Sequence, residues 1–355
     1  MKIVAFYRGK LSDRRGTPIR VSHLLSGLAR TEAIELTIFS WDEELPLPAS
    51  HVRLFNKHLK EGIALVRFMR KNKTDVILGH TVATWPYLLL ARLFTRAKVV
   101  LEMHGFLEEE GLEYGSYGSL RYRAYRALAH RLYALCDLIT ASGEAASQEL
   151  RKYNKNVVTI FGGADMHVFR PDVAPASYVP RGGLVIGYAG NLRKWQGIEF
   201  LIRSFEKLKV LHPEFRLAIL SSEGKRFTQN PEIEVYPSVP PEEVPAFLAA
   251  CDMLVIPRPL TRVTSLNTAG KLIEYLAMGR VVVASETGDC AKIIEDDVSG
   301  LLYPPDDEEK FLEVMVRLKD SALRERLCRK ARESVEHTFT WERQAALLAE
   351  CVRTV

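Results

Sequence analysis

SLNTAGKLIEYLAMGRVVVAS, residues 265–285, reads as one helix followed by one strand. The helical pattern runs from about Gly270 to Met278, and VVVAS (281–285) is a β-branched run of strand length. The same pairing recurs in both directions from this segment. Upstream lie LVIGYAG (184–190), a helix from about Ile198 to Leu211, FRLAILS (215–221), IEVY (233–236), a helix near Glu242–Ala250 and MLVIP (253–257). Earlier still, KIVAFY (2–7), IELTIF (34–39), HVRLF (51–55), DVILG (75–79), KVVLEM (98–103), DLITAS (137–142) and VVTI (157–160) alternate with helical segments. The first of those helices spans about Pro18 to Arg30, and helices alone are expected after VVVAS. Short β-branched runs separated by helices predict parallel sheets covered on both faces. The rhythm breaks only at GGADMHVFRPDVAPASYVPRGG (162–183), a Pro- and Gly-rich linker by composition. The expected fold is therefore α/β, with two tandem Rossmann-like doubly wound domains facing a cleft. Residues 1–170 form the first and 171–340 the second. A last helix from about Trp341 has apolar positions Ala345, Leu348 and Cys351, and Thr340 is its candidate N-cap. Periodicity does not say which domain covers it.

A length of 355 residues suits two domains, and 47% apolar with 26% charged residues excludes whole-chain disorder and fibrous repeats. No apolar run approaches the ~18–20 uncharged residues of a membrane-spanning helix. Arg8 interrupts the first apolar run too early for a secretory signal. The cysteines, Cys136, Cys251, Cys290, Cys328 and Cys351, are scattered, odd in number and without a Cys-x-x-Cys pair. They predict buried free thiols in a reducing cytoplasm, with neither a disulfide framework nor a zinc site. Residues 1–170 hold 25 Lys+Arg against 17 Asp+Glu, whereas residues 171–355 hold 24 against 27. A basic first half without a reader motif points away from nucleic acid and toward an acidic substrate or an anionic membrane surface.

Four segments could carry chemistry. In the first, Thr268 is placed to cap a helix whose opening turn holds Ala269, Gly270 and Lys271. Free amides, the helix dipole and an ammonium would then converge on one spot suited to phosphate. Glu274, three residues after Lys271 and on the same face, could accept hydrogen bonds from sugar hydroxyls. The plain alternative is an exposed helix with an ordinary Lys/Glu pair. The second segment, IGYAGNLRKWQGIEFL (186–201), places Arg193 and Lys194 on a strand-to-helix loop, where they could grip a second phosphate. Third, Gly16 and Thr17 precede Pro18, a favoured first helical residue, and make a second anion-facing helix start. Fourth, His104 directly follows a strand, so its imidazole is expected to point into the cleft and orient or deprotonate an acceptor hydroxyl. Glu109 and His80 are further acceptor-side candidates, although a glutamate placed like Glu109 is more often a solvated charge. Neither Gly-x-Gly-x-x-Gly nor a Walker loop is present, which disfavours a dinucleotide oxidoreductase or a P-loop enzyme.

The order and spacing of DVILGH, VVLEMHG, CDLITASGEAASQEL, VVTIFGGADMHVF, GYAGNLRKWQGIEFLI, CDMLVIP, GKLIEYLAMGRVVVAS and VSGLLYP resemble glycosyltransferase family 4, the retaining sugar transferases of GT-B fold. The resemblance runs along essentially the whole chain. It implies a nucleoside-diphosphate sugar donor, such as a UDP- or GDP-sugar, on the second domain and an acceptor on the first. Glu274 matches the glutamate holding the donor ribose, and Thr268, Ala269, Gly270 and Lys271 match the diphosphate cradle. Arg193 and Lys194 lie in the loop of the phosphate clamp, Gly16 and Thr17 match the glycine pair that closes over the diphosphate, and His104 matches the acceptor-side histidine. The last helix of that fold usually crosses back onto the first domain.

Departures are visible. Many members carry a second glutamate eight positions before the first, and here that position is Leu266, as in a sub-group with the Lys-Leu-Phe-Glu-Tyr style of helix. Asn191 stands where an Arg is usual and Gln196 where a Lys is usual, so the clamp would rely on Arg193, Lys194 and Lys271. The resemblance implies transfer without a metal or other cofactor, and no Asp-x-Asp triplet is present to hold an ion. Arg121, Arg123, Arg126 and Arg131, interspersed with Tyr122, Tyr125, Leu128, Leu132 and Leu135, form a basic amphipathic stretch. It could rest on the inner face of the cell membrane beside a lipid-linked acceptor, or be a half-buried helix of the domain. A nucleotide-sugar epimerase and a non-catalytic nucleotide-sugar-binding subunit are the competing functions.

Overall fold

In the computed structural model, all residues are described except 14–15, 46, 56–57, 114–117, 180–181 and 224–231. Arg14 and Arg15 of the first βα loop thus lie outside the described residues. The chain divides into two compact units, Met1–Gly162 with Trp341–Val355, and Gly163–Thr340. The division precedes the boundary at 170 read from composition. A bridge between Ala164 and Thr340 draws the start of the linker into the second unit.

The strands of the first unit are β1 (Lys2–Phe6), β2 (Glu35–Ser40), β3 (Ser50–Arg53), β4 (Val76–His80), β5 (Lys98–Met103), β6 (Leu138–Ala141) and β7 (Val157–Thr159). They form one sheet in the order β3-β2-β1-β4-β5-β6-β7, with every pair parallel. The second unit has β8 (Leu184–Ala189), β9 (Phe215–Leu220), β10 (Ile233–Tyr236), β11 (Met253–Ile256), β12 (Val281–Ser285) and β13 (Leu301–Tyr303). Its sheet runs β10-β9-β8-β11-β12-β13, again parallel. Each order reverses direction once, at β1/β4 and at β8/β11, and these switch points are where a doubly wound sheet leaves a crevice for ligands.

Central strands are buried on both faces, which explains their continuous apolar runs: VVVAS is wholly interior. Gly187 in β8 is required by close approach, since a Cβ there would lie 2.4 Å from the Cys251 sulfur. At the end of that strand's loop, Gly197 (φ 72°) would place a Cβ 1.5 Å from the Pro257 carbonyl oxygen. Two elements went unread in the sequence: the three-residue edge strand β13, and a short helix, Arg262–Leu266, capped by Thr261. Both are too short to show a period.

The last helix, Trp341–Arg353, packs on the first, Thr17–Ala29. The His23 and Trp341 rings stack at 4.9 Å, and Gly27 lets the backbones close, because a Cβ there would meet the Ala345 Cβ at 2.2 Å. Leu348, Ala349 and Val352 belong to the first unit's core, beside Leu24, Leu25 and Leu28. Among the described residues, no helix is long and apolar enough to cross a membrane. Leu348→Ala is expected to cost about 2–5 kcal/mol of stability, read as a lower urea midpoint by tryptophan fluorescence. Gly197→Ala should destabilise as well, through both its backbone angle and the clash with Pro257.

Candidate functional site

In the second unit the chemistry gathers where β8 ends and the helix Gly270–Ala277 begins. Tyr188, wholly buried, donates its hydroxyl proton to the Asn191 carbonyl (2.6 Å) and accepts from the Lys271 ammonium (2.8 Å). That ammonium also lies 4.0 Å from the centre of the Tyr188 ring, a cation–π contact. One helical turn beyond Lys271, Tyr275 accepts the Ala189 amide proton at 2.8 Å and so pins the helix to the strand end. Gly190, with φ of 144°, leaves room for Lys271: a Cβ there would sit 2.6 Å from its nitrogen. Neither tyrosine was anticipated, although each stands in a segment singled out for its charges.

Lys271 is half-buried, and burial brings its ammonium down to about 7, assisted by the Arg258 charge and opposed by Glu274. Glu274 is raised to about 7 by burial, with Lys271 pulling the other way. Among the described residues its carboxylate has no hydrogen-bond partner. Arg258, absent from the sequence expectations, lies two residues past β11 and is buried. It donates to the Asn267 carbonyl at 2.7 Å, fixing the turn that leads into the helix. A cation just past a strand at the switch point was the available signal.

Thr268 does not cap this helix. Its hydroxyl donates to Asp289 at 2.7 Å, and the N-cap is Ala269, extended and without a side-chain bond. Burial explains the preference: Asp289 has no exposed surface and needs donors. The helix start is consequently more open than predicted, and Gly270 faces free space within 4 Å of its Cβ position. Leu266 is buried in its own short helix.

Arg193, Lys194 and Asn191 are exposed on the following loop. The Arg193 guanidinium stacks 4.9 Å from the Trp195 ring. Among the described residues, no hydrogen bond or ion pair joins Arg193 or Lys194 to the helix Gly270–Ala277. The structure therefore brings Lys271, Glu274, Gly270, Ala269 and the Asn191 carbonyl together, and leaves the two loop cations apart from them.

In the first unit, His80 and Glu102 are cross-strand partners at the carboxyl ends of β4 and β5. His104 lies two residues beyond Glu102 on the same face. Glu102 is fully buried and divides its oxygens. Arg20 of the first helix donates to Oε1 from Nε (2.8 Å), with its Nη2 at 2.7 Å. Oε2 faces His104 Nε2 at 2.5 Å and His80 Nδ1 at 3.3 Å. Burial works against ionisation of Glu102, yet His104, Arg20 and His80 beside it together hold its carboxyl well below the usual range, whereas burial lowers His104 despite the attraction of Glu102. The expected orientation of His104 is corrected accordingly: its side chain is 6% exposed and turned onto the carboxylate. His80 has no exposed side-chain surface.

These three groups are the described residues whose donor atoms lie close enough for a cation, within 4.8 Å of one another. Arg20 already neutralises the shared carboxylate, so we assign the cluster as an ion-pair network. Glu109 is not a solvated charge: it is buried, accepts from the Tyr122 hydroxyl at 2.9 Å and lies 4.0 Å from Arg126. Gly16 takes φ of 53° at the N-cap of the first helix without a side-chain bond, and Thr17 beside it is half-buried.

Residues 15–168 match the model of Glycosyltransferase Family 4, and residues 183–321 match Glycosyl transferases group 1. The O-antigen chain mannosyltransferase C of Escherichia coli is 26% identical over 96% of this chain and 95% of its own. A D-inositol 3-phosphate glycosyltransferase of Stackebrandtia nassauensis is 26% identical over 58% of this chain, a match spanning 51% of that protein. Anabaena Alr3699/HepE in complex with UDP-glucose shares the fold, with a TM-score of 0.73 at 16% identity and full coverage of both chains. The two models between them take in most of each unit, on two parallel sheets of the expected order. The chain belongs to the family 4 glycosyltransferases of GT-B fold.

Proposed function

We propose that this glycosyltransferase moves a sugar from a nucleoside diphosphate, held at the helix Gly270–Ala277, to a hydroxyl of a glycan or lipid-linked acceptor. Retention of anomeric configuration and independence of a metal ion are part of the proposal. One observation carries it: the Lys271 amine, ready to take the charge that a bound diphosphate favours, has no carboxylate bonded to it and stands next to an open helix start. Breaking the anomeric C–O bond moves its electron pair onto the leaving phosphate. An ammonium and amides fixed at that position lower the barrier, each donor being worth ~2.7–4 kcal/mol. The acceptor oxygen attacks on the face being vacated, and its proton passes to a phosphate oxygen, so the charges balance without a metal. Glu274, lacking a partner, is suited to accept from the ribose hydroxyls, and His104 stands on the acceptor side.

The relatives favour the same chemistry. One is named for adding mannose to an O-antigen chain, and a protein of the same fold was solved with UDP-glucose. The helix Ser119–Leu135 supports a lipid-linked acceptor at an anionic membrane. Tyr122, Leu132 and Tyr133 face inward, while Arg121, Arg123 and Arg131 are exposed together with Leu120 (80%) and Leu135 (47%). Such a surface would suit the anionic cytoplasmic face of a membrane that carries the acceptor.

Nucleotide release from UDP-, GDP- and ADP-sugars, with and without glycan and lipid acceptors, tests the reading. Lys271→Ala is expected to lower turnover by about 10²–10³-fold. Glu274→Ala should weaken donor binding by about tenfold or more. Normal turnover of both variants on a true substrate would place the donor elsewhere.

A pH signature should accompany binding. With its free value at about 7, Lys271 is mostly neutral at pH 8, and a bound diphosphate would favour its charged form. Calorimetry at pH 8 in buffers of differing ionisation enthalpy should therefore show proton uptake on nucleotide binding, absent in Lys271→Met. Glu274 is largely ionised at that pH and contributes little.

A further inference from the structure

We propose that Tyr188 is a positioning residue whose one hydroxyl holds Lys271, on the helix Gly270–Ala277, in register with the loop 191–197 that carries Arg193 and Lys194. The proposal rests on the reading of this corner as the donor site. Chemistry fixes the order of the hydrogen bonds. A carbonyl oxygen only accepts, so the Tyr188 proton is committed to Asn191, 2.6 Å away. What faces Lys271 at 2.8 Å is therefore a phenolic lone pair, and the lysine nitrogen must be the donor. Burial pushes the Tyr188 phenol well above its ordinary value, so that proton stays in place. The ring belongs to the core of the second unit, with Ile186, Leu192 and Ile219, and close packing there keeps the hydroxyl from turning away.

Lys271 is thereby placed by a neutral group. One of its N–H bonds goes to Tyr188, and the rest of its donor capacity is left for phosphate oxygens. The loop that follows β8 is tied at both ends. At its start Tyr188 holds the Asn191 carbonyl, and at its end Gly197 passes so close to the Pro257 carbonyl that a Cβ would lie 1.5 Å from the oxygen. Between them the Gln196 and Gly197 amides donate to the Arg193 and Lys194 carbonyls at 2.8 and 3.1 Å, closing one tight turn. Arg193 and Lys194, which among the described residues have no bond of their own to the helix, are thus referred to Lys271 through a single oxygen. Hydrogen bonds in a chain polarise one another, so a phosphate that charges Lys271 also strengthens the hold on Asn191.

Tyr188→Phe keeps the ring and its contact with Lys271 and removes only the hydroxyl. Calorimetry with UDP, GDP or ADP, whichever the unmodified protein binds, gives Kd for four proteins: unmodified, Tyr188→Phe, Lys271→Met and the two substitutions combined. Tyr188→Phe is expected to weaken binding about tenfold alone, and less than about twofold when Lys271 is already Met. A residue that only packs the core would cost the same in both backgrounds, and that result would overturn the proposal. Without nucleotide, amide hydrogen exchange over residues 192–197 should quicken in Tyr188→Phe while the helix Ile198–Leu211 keeps its protection. Unchanged exchange in the loop would overturn it too. If Tyr188→Phe fails to fold, Lys271→Met carries the test: saturating nucleotide should slow exchange over 192–197 in the unmodified protein and not in this variant, and equal slowing in both would sink the idea. Failure of the unmodified protein to bind any of the three nucleotides would instead overturn the donor reading, while loop exchange in nucleotide-free Tyr188→Phe still decides whether the hydroxyl holds the loop.

Discussion

Burial of charge is the constraint that organises both units, and the two resolve it in opposite ways. Glu102 has no exposed side-chain surface, and an isolated carboxylate there would be prohibitively costly. Arg20 and two imidazoles supply its full complement, so the first unit is electrostatically closed. Removing one partner of such a pair typically costs about 3–5 kcal/mol, which makes the network a strong structural tie among the first helix, β4, β5 and the segment after β7. In the second unit the balance is left incomplete. Lys271 rests on a neutral tyrosine, Glu274 has no hydrogen-bond donor, and Arg258 adds positive charge behind them. A ligand bearing phosphates and hydroxyls would complete what the protein leaves unpaired.

Topology determines where these groups meet. A parallel sheet whose order reverses once sends its flanking loops apart at the switch point, and residues that follow the strands are presented there. Arg258 lies two residues past β11, and Gly190 and Asn191 follow β8. The glycines at 190 and 197 answer to the same geometry. One leaves room for the Lys271 side chain, and the other lets the loop pass over the Pro257 carbonyl.

Much of this was legible in the residues. IEVY and VVVAS occupy the predicted spans, and the helix Ile198–Leu211 begins and ends where its period does. Such elements are long enough, or flanked by clear enough turn residues, for local preference to agree with the fold. β13 escaped because three residues carry no period. Thr268 was assigned a cap from local chemistry, but a tertiary partner, Asp289, competed successfully for its hydroxyl. The Glu102–His104 pairing was open to inspection, since residues two apart on a strand share a face. Arg20 was not. It lies 82 positions from Glu102, and only the packing of the first helix on the sheet brings them together.

The return of the last helix to the first unit bears on how the protein is made. Synthesis proceeds from the amino terminus, and domains tend to fold as they emerge. Here Ala345, Leu348, Ala349 and Val352 are interior residues of the unit that emerges first. That unit must wait on the ribosome with an uncovered apolar stripe along its first helix until Gly163–Thr340 has been translated. Nascent chains stalled before Trp341 should therefore be candidates for chaperone engagement at that stripe, and the second unit is free to fold ahead of the first.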